Sequence, residues 1–279
     1  MKHLESSYTT HDGKKLFLQA WMPEQPKASL LLVHGLGEHS GRYLPLVEKL
    51  TGLGVAVFTF DGRGHGKSVE GRPDAFFESA SDYLKDIDVL FGKAKNYVKD
   101  LPAFLFGHSM GGGLVAAYVL KYQPEAAGVI LSSPAIMEDP ETPALLKTVA
   151  GFVSKYFPRL KALKLDAKMI SRIPAEVQAY LDDPLVYTEP VPARTGQELF
   201  LKMKYVQQNA GNFRLPLLIL HGRGDRLTNP DGSDLLFQKA SSEDKTLEVF
   251  EGGYHELIRD LESERYLGLI VDWVRARMP

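Results

Sequence analysis

Short runs of consecutive apolar residues recur along this chain, and between them the apolar positions switch to a helical spacing. Residues 29–33, 55–60, 103–106, 128–132, 217–220 and 247–250 each read as a strand buried on both faces. Amphipathic helices are predicted at 42–53, 79–98, 231–240 and 263–277, with another directly after the 103–106 strand. Continuous apolar strands alternating with helices predict an α/β fold whose mostly parallel sheet is covered on both faces. Upstream, residues 6–9 and 15–21 flank His11-Asp12-Gly13-Lys14, where Asp-Gly marks a hairpin turn, so eight strands are expected in all.

The alternation stops between about 135 and 209, where helical patterns and prolines occur without a convincing strand. Leu145, Leu146, Val149, Phe152, Val153, Tyr156 and Phe157 fall on one face of a helix. A segment this long is better read as a helical cap than as a structureless loop. The expected organisation is therefore a core from 1 to 134, a cap from 135 to 209 and the rest of the core from 210 to 279.

Composition narrows the function classes. The 279 residues are 44% hydrophobic and 24% charged with a formal net charge of −2, which is ordinary for a globular protein. No basic run suggests nucleic-acid binding. Cysteine is absent, which removes disulfides, thiolate metal sites and a cysteine nucleophile. The N-terminus lacks a signal-peptide apolar core, and no apolar run approaches membrane-spanning length, so a cytoplasmic setting is expected.

The chemistry centres on Gly107-His108-Ser109-Met110-Gly111, placed between a predicted strand and a predicted helix. In that context G-x-S-x-G is a nucleophile elbow, a strained turn that lifts the serine hydroxyl clear of the sheet. A serine needs a base, and histidine has the suitable pKa. Of eight histidines, His34, His65 and His221 follow strands but belong to glycine turns with structural readings of their own, and His108 sits inside the elbow. His255, on the loop after the last core strand, occupies the late position expected for the order Ser, acid, His. The acid is expected on a loop after a core strand, and Asp225, five residues past Leu220, fits; Asp231 and Asp234 are rivals that read as helix starts. Asp225 could alternatively pair with Arg223 or Arg226. Two backbone donors are needed for an oxyanion hole: Met110 N–H after the nucleophile, and Leu36 N–H in the glycine-bearing loop His34-Gly35-Leu36-Gly37.

Asp61-Gly62-Arg63-Gly64-His65-Gly66-Lys67-Ser68 lacks phosphate-loop spacing and is read as a rigid turn in which Asp61 or Arg63 bridges neighbours. No metal-ligand motif is present, and no cofactor is called for.

Taken together, these motifs resemble the α/β-hydrolase superfamily, and more closely the monoacylglycerol lipase and lysophospholipase-like serine hydrolases. The resemblance rests on residues 34–43, 61–68 and 107–112, on Asp183-Pro184-Leu185, and on Glu251-Gly252-Gly253-Tyr254-His255. It implies a Ser109–His255–Asp225 triad, the Leu36 and Met110 amides as oxyanion hole, and a small lipid ester, a monoacylglycerol, as substrate. Ala135, Ile136, Met137 and Leu227, beside strand ends, are expected on the acyl wall. Leu145, Val149 and Phe152 are expected either to line an acyl tunnel or to touch a membrane surface, or simply to pack within the cap. Three other readings stay open: a peptidase using Glu176, Asp182, Asp183 or Glu189 to hold a free amino terminus, an acyltransferase, and a non-catalytic ligand-binding relative.

Overall fold

In the computed structural model, residues 1–138 and 151–279 are described. Eight strands form the main sheet: β1 (Lys2–Thr9), β2 (Lys15–Met22), β3 (Ala28–Val33), β4 (Val55–Phe60), β5 (Ala103–His108), β6 (Gly128–Ser132), β9 (Leu217–Gly222) and β10 (Lys245–Phe250). A separate two-stranded piece contains β7 (Lys161–Leu163) and β8 (Val191–Pro192). The main sheet has the order β1-β2-β4-β3-β5-β6-β9-β10. The hairpin and the β2–β4 pair are antiparallel, and every other pair is parallel.

Both faces of β3, β5, β6 and β9 are buried, and successive residues feed opposite cores. The edge strand β10, expected to be buried on both faces, is only partly buried up to Phe250 because no strand covers its outer side. Leu31, Val33, Leu105, Leu217 and Ile219 join one cluster with helices α2 (Ala80–Tyr97) and α3 (Met110–Tyr122). Leu30, Leu32, Phe104, Phe106, Leu218 and Leu220 join the other, with α1 (Leu44–Gly52) and the closing helix Ser263–Arg275. This period-two division is the physical content of the unbroken apolar runs.

Local chemistry sets several boundaries. Ser79 caps α2 by accepting from the backbone N–H groups of Ser81 and Asp82. The helix expected over 42–53 divides: a 3-10 turn at Ser40–Tyr43 precedes α1, which begins at a proline-bearing first turn.

The 135–209 segment differs from expectation in one respect. It contains the β7–β8 pair, with Lys161 opposite Pro192 and Leu163 opposite Val191. A bulged strand of three exposed residues facing a two-residue partner carries no alternating signal, so pattern reading missed it. Its remaining described elements are a helical stretch at 151–156, a 3-10 turn at Ala167–Met169, and helices Pro174–Asp182 and Ala193–Asn209.

This insertion is bonded to loops at the carboxyl ends of the parallel strands. Tyr187 N–H donates to Gly37 O and Glu256 N–H to Ile170 O, each at 2.7 Å. Arg172 pairs with Asp260 at 2.9 Å, and His39 meets Asp183 at 2.9 Å. Among the described residues no helix is long and apolar enough to cross a membrane.

Candidate active site

Ser109 sits between β5 and α3 with φ +54° and ψ −118°, a conformation costly for a residue with a side chain. The turn is held by its surroundings. Ser109 N–H donates to Ser132 O at 2.9 Å, while Ser109 O accepts from Gly113 N–H at 3.0 Å and Ala135 N–H at 2.9 Å. Glycine is required on either side: a Cβ on Gly107 would lie 2.5 Å from Gly111 O, and one on Gly111 would collide with the carbonyl oxygens of Val33 and His34. The elbow therefore packs backbone to backbone against the loop that carries Leu36.

That loop is braced by a buried polar cluster. Gly35 N–H donates to Glu38 Oε1 at 2.5 Å, and the Tyr43 hydroxyl donates to the same oxygen. Arg42 lies between Glu38 (3.4 Å) and Glu256 (2.5 Å) and stacks 4.7 Å over the Tyr180 ring. Burial pushes the Glu256 carboxyl above its ordinary value even with Arg42 beside it.

His255 follows β10. Its Nδ1 donates to Asp225 Oδ2 at 2.7 Å, and its carbonyl accepts from Ser133 Oγ at 2.8 Å. Burial alone would lower the imidazole pKa, but the charge and hydrogen bond of Asp225 outweigh it, and the net shift is upward.

Asp225 is enclosed by donors: Leu227 N–H (2.8 Å) and Thr228 N–H (3.0 Å) on Oδ1, and Thr228 Oγ1 (2.8 Å) and His221 Nε2 (3.2 Å) with His255 on Oδ2. Burial works against its charge, yet His255 and these bonds hold its carboxyl well below the usual carboxylate range. Asp234 is instead paired with Arg223 at 3.0 Å, and Asp231 opens the helix Asp231–Lys239.

Ser109 and His255 line one cavity of about 720 Å³, together with Leu36 and Met110. Among the hydrogen bonds of the described residues none joins Ser109 to His255. With Nδ1 engaged by Asp225, Nε2 is the nitrogen left for proton exchange. His108, also on the wall, has its ring 4.8 Å from that of His255, and burial followed by the neighbouring imidazole pushes its pKa down to about 3.

Of the residues expected on an acyl wall, Ala135 and Leu227 line the cavity. Ile136 is absent from the lining and lies fully buried in the core on the α2–α3 side. Met137 is also off the lining, beside Gly232. Phe152 is 61% exposed and off the lining, and Leu145 and Val149 lie outside the described residues. The apolar wall comes instead from Leu163, Ile170, Val191, Leu199 and Met203. Sequence reading also missed Thr228 and the Glu38–Arg42–Glu256 cluster. The i,i+4 spacing of Glu38 and Arg42 is a local signal for one pair, but nothing in the sequence joins Arg42 to Glu256. The Asp61–Ser68 turn does bridge neighbours: Asp61 accepts from Ser40 N–H and Lys67 N–H, and Arg63 spans Asp12 and Asp86. Among the described residues no group of three potential ligands could hold a metal ion.

Comparison with known proteins gives the family. Residues 24–262 match the Hydrolase_4 family, described as serine aminopeptidase, S33. The chain is 34% identical to the monoacylglycerol lipase of Mycolicibacterium smegmatis over 97% of its own length and 96% of that protein. It is 36% identical to the human monoglyceride lipase, over 90% of this chain and 82% of the relative. Among solved structures, the Paleococcus ferrophilus monoacylglycerol lipase superposes with a TM-score of 0.83 at 35% identity, covering 94% of this chain and 99% of that one.

Proposed function

The chain belongs to the Hydrolase_4 family of α/β-hydrolases and groups there with the monoglyceride lipases, and from this we propose a serine ester hydrolase acting on monoacylglycerols through an acyl-enzyme on Ser109. The observation that carries the proposal is the 2.7 Å bond from His255 Nδ1 to Asp225 in the cavity that Ser109 lines. In this reading His255 Nε2 takes the Ser109 proton as Oγ attacks the ester carbonyl. The Leu36 and Met110 amides receive the developing oxyanion, and the glycerol leaves with the proton. Water then attacks the acyl-enzyme with the same imidazole as base.

The substrate class follows from the cavity and the relatives. A volume of about 720 Å³ with an apolar wall suits one acyl chain. The carboxylates that a peptidase would need each already have a partner, including Glu189 at the cavity wall. Glu176 pairs with Arg259, Asp182 accepts from Gln178, Asp183 bonds His39, and Glu189 pairs with Lys161.

The proposal includes a helical cap over the site and a cytoplasmic enzyme that touches membranes transiently. Phe152, Tyr156, Phe157, Leu160 and Leu163 are each more than half exposed, and Leu163 also lines the cavity. An apolar patch running into the cavity would let a lipid pass from bilayer to site.

The test is a side-by-side assay of monoacylglycerols, triacylglycerols, lysophospholipids, short aryl esters and aminoacyl arylamides, with fluorophosphonate labelling. Monoacylglycerols should be turned over best. Their rate should rise about tenfold for every two methylenes until the cavity is full, at about 0.8 kcal/mol per CH₂. Ser109→Ala should lose both labelling and, on the order of 10⁶-fold, kcat. Preferential arylamide turnover, or an active Ser109→Ala variant, would refute the reading.

A further inference from the structure

Asp225 is contacted by two histidines, and the second has no part in the proton transfers above. His221, the penultimate residue of β9, is 1% exposed. Its Nε2 lies 3.2 Å from Asp225 Oδ2, the same oxygen that His255 Nδ1 reaches at 2.7 Å. Its Nδ1 lies 2.7 Å from Ser233 Oγ, in the first turn of the helix Asp231–Lys239. Ser233 is itself buried, so neither contact is open to solvent.

The partners determine where the protons are. An ionised carboxylate only accepts, so the ring nitrogen facing Asp225 carries the hydrogen. The other ring nitrogen is then an acceptor, and the Ser233 hydroxyl is the donor that suits it. One chain of hydrogen bonds runs from Ser233 through His221 to Asp225 and on to His255.

Two observations indicate that this chain orients Asp225. The Asp225 loop is short, and its other side-chain donors are Thr228 and His255. Thr228 has a single hydroxyl proton, for which Ser133 O at 3.1 Å competes with Asp225 at 2.8 Å. His221 is therefore the donor to Oδ2 that comes from the sheet itself rather than from a loop. A group fixed on a strand of the sheet holds the carboxylate more firmly than loop residues can.

We propose that His221, kept in its Nε2–H tautomer by the Asp225 carboxylate and held in ring orientation by Ser233, is a positioning residue that aims Asp225 Oδ2 at His255. The inference rests on the triad reading above. His221 touches no substrate; its influence passes through Asp225 to the orientation of the base.

The experiment compares His221→Leu, His221→Gln and Ser233→Ala, each checked for folding by thermal unfolding, using a soluble short-chain ester and fluorophosphonate labelling. His221→Leu removes the donor to a charged acceptor, and kcat and the labelling rate should both fall about 10- to 100-fold at unchanged KM. The glutamine amide offers an N–H at nearly the same reach as imidazole Nε2, so His221→Gln should recover most of that loss. Ser233→Ala keeps the ring but leaves Nδ1 without the donor that holds it, and should lower kcat by about 3- to 10-fold, which also serves if the leucine variant does not fold. The inference is overturned if His221→Leu keeps wild-type kcat, if the glutamine variant falls as far as the leucine one, or if Ser233→Ala has no effect. Ser109→Ala, run in parallel, separates the two readings: an inactive Ser109→Ala with a wild-type-like His221→Leu removes only this inference, whereas an active Ser109→Ala removes the triad itself.

Discussion

Arg42 Nη2 lies 2.5 Å from Glu256 Oε2, a buried ion pair between residues 214 positions apart. Glu256 directly follows His255, and Arg42 also contacts Glu38, whose carboxylate holds Gly35 N–H. One guanidinium thus ties the loop bearing Leu36 to the loop bearing His255. Removing one partner of a buried pair costs about 3–5 kcal/mol because the remaining charge is stranded. Arg42→Met strands two carboxylates and should lower unfolding stability by at least that range at neutral pH, read by denaturant titration. Its deficit should shrink as pH falls, since Glu38 and Glu256 can then take up protons.

Asp225→Asn should lower kcat by about 10⁴-fold, because the amide no longer holds the productive imidazole tautomer. The pH profile provides a second readout. His255 must be neutral to act as base, and its pKa is raised above 6.5, so kcat/KM of the wild type should climb through a limb lying above that value. Burial, the largest influence on His255, lowers its pKa and is overcome by Asp225; without the carboxylate the residual activity of Asp225→Asn should show its limb moved to lower pH.

The same carboxylate contributes to stability with a defined sign. Its folded-state pKa is depressed well below 3.8, so its contribution is present above that pH and is lost as pH falls toward the folded value. Acid titration of unfolding free energy should therefore be less steep below pH 3.8 in Asp225→Asn than in the wild type.

Gly111→Ala tests the backbone contact behind the elbow. The added Cβ meets the carbonyls of Val33 and His34, which no side-chain rotation can relieve. Overpacking of this kind costs about 1–3 kcal/mol, and the shift should also separate Met110 N–H from Leu36 N–H. The expected outcome is a lower unfolding midpoint with a loss of kcat that exceeds any change in KM.

The exposed aromatic patch should matter only at a lipid surface. Phe152→Ser combined with Tyr156→Ser removes side chains that are 61% and 57% exposed. If both rings insert, each contributes about 1.5–3 kcal/mol of apolar burial, so vesicle binding should weaken by tenfold or more. Hydrolysis of a water-soluble ester should be unchanged.

The elbow was legible because all its parts are contiguous. An apolar strand, small residues two positions either side of Ser109, and a helix of buried residues follow one another in a single stretch. The two-sided burial of β3, β5 and β9 was legible for the same reason, since a run such as Leu30–Leu31–Leu32 must place residues on both faces. Legibility faded where orientation depended on distant neighbours. Ile136 lies close to Ala135 in sequence, yet one enters the core and the other lines the cavity. Phe152, Tyr156 and Phe157 of the helical spacing are exposed, because spacing alone does not say whether a residue meets protein or solvent.

The sequence by itself determined the strands of the main sheet and most of its helices, that the sheet is covered on both sides, and that Ser109 stands at a strained strand-to-helix turn. Those features are set by residues within a few positions of one another, through side-chain period and backbone sterics. The tertiary structure alone decided that Arg42 bridges to Glu256, that Thr228 and His221 share the Asp225 carboxylate, and that the Asp225–His255 bond closes at 2.7 Å. Such meetings depend on strand order and on where each loop leaves the sheet, and those are fixed by packing of the whole chain rather than by any local pattern.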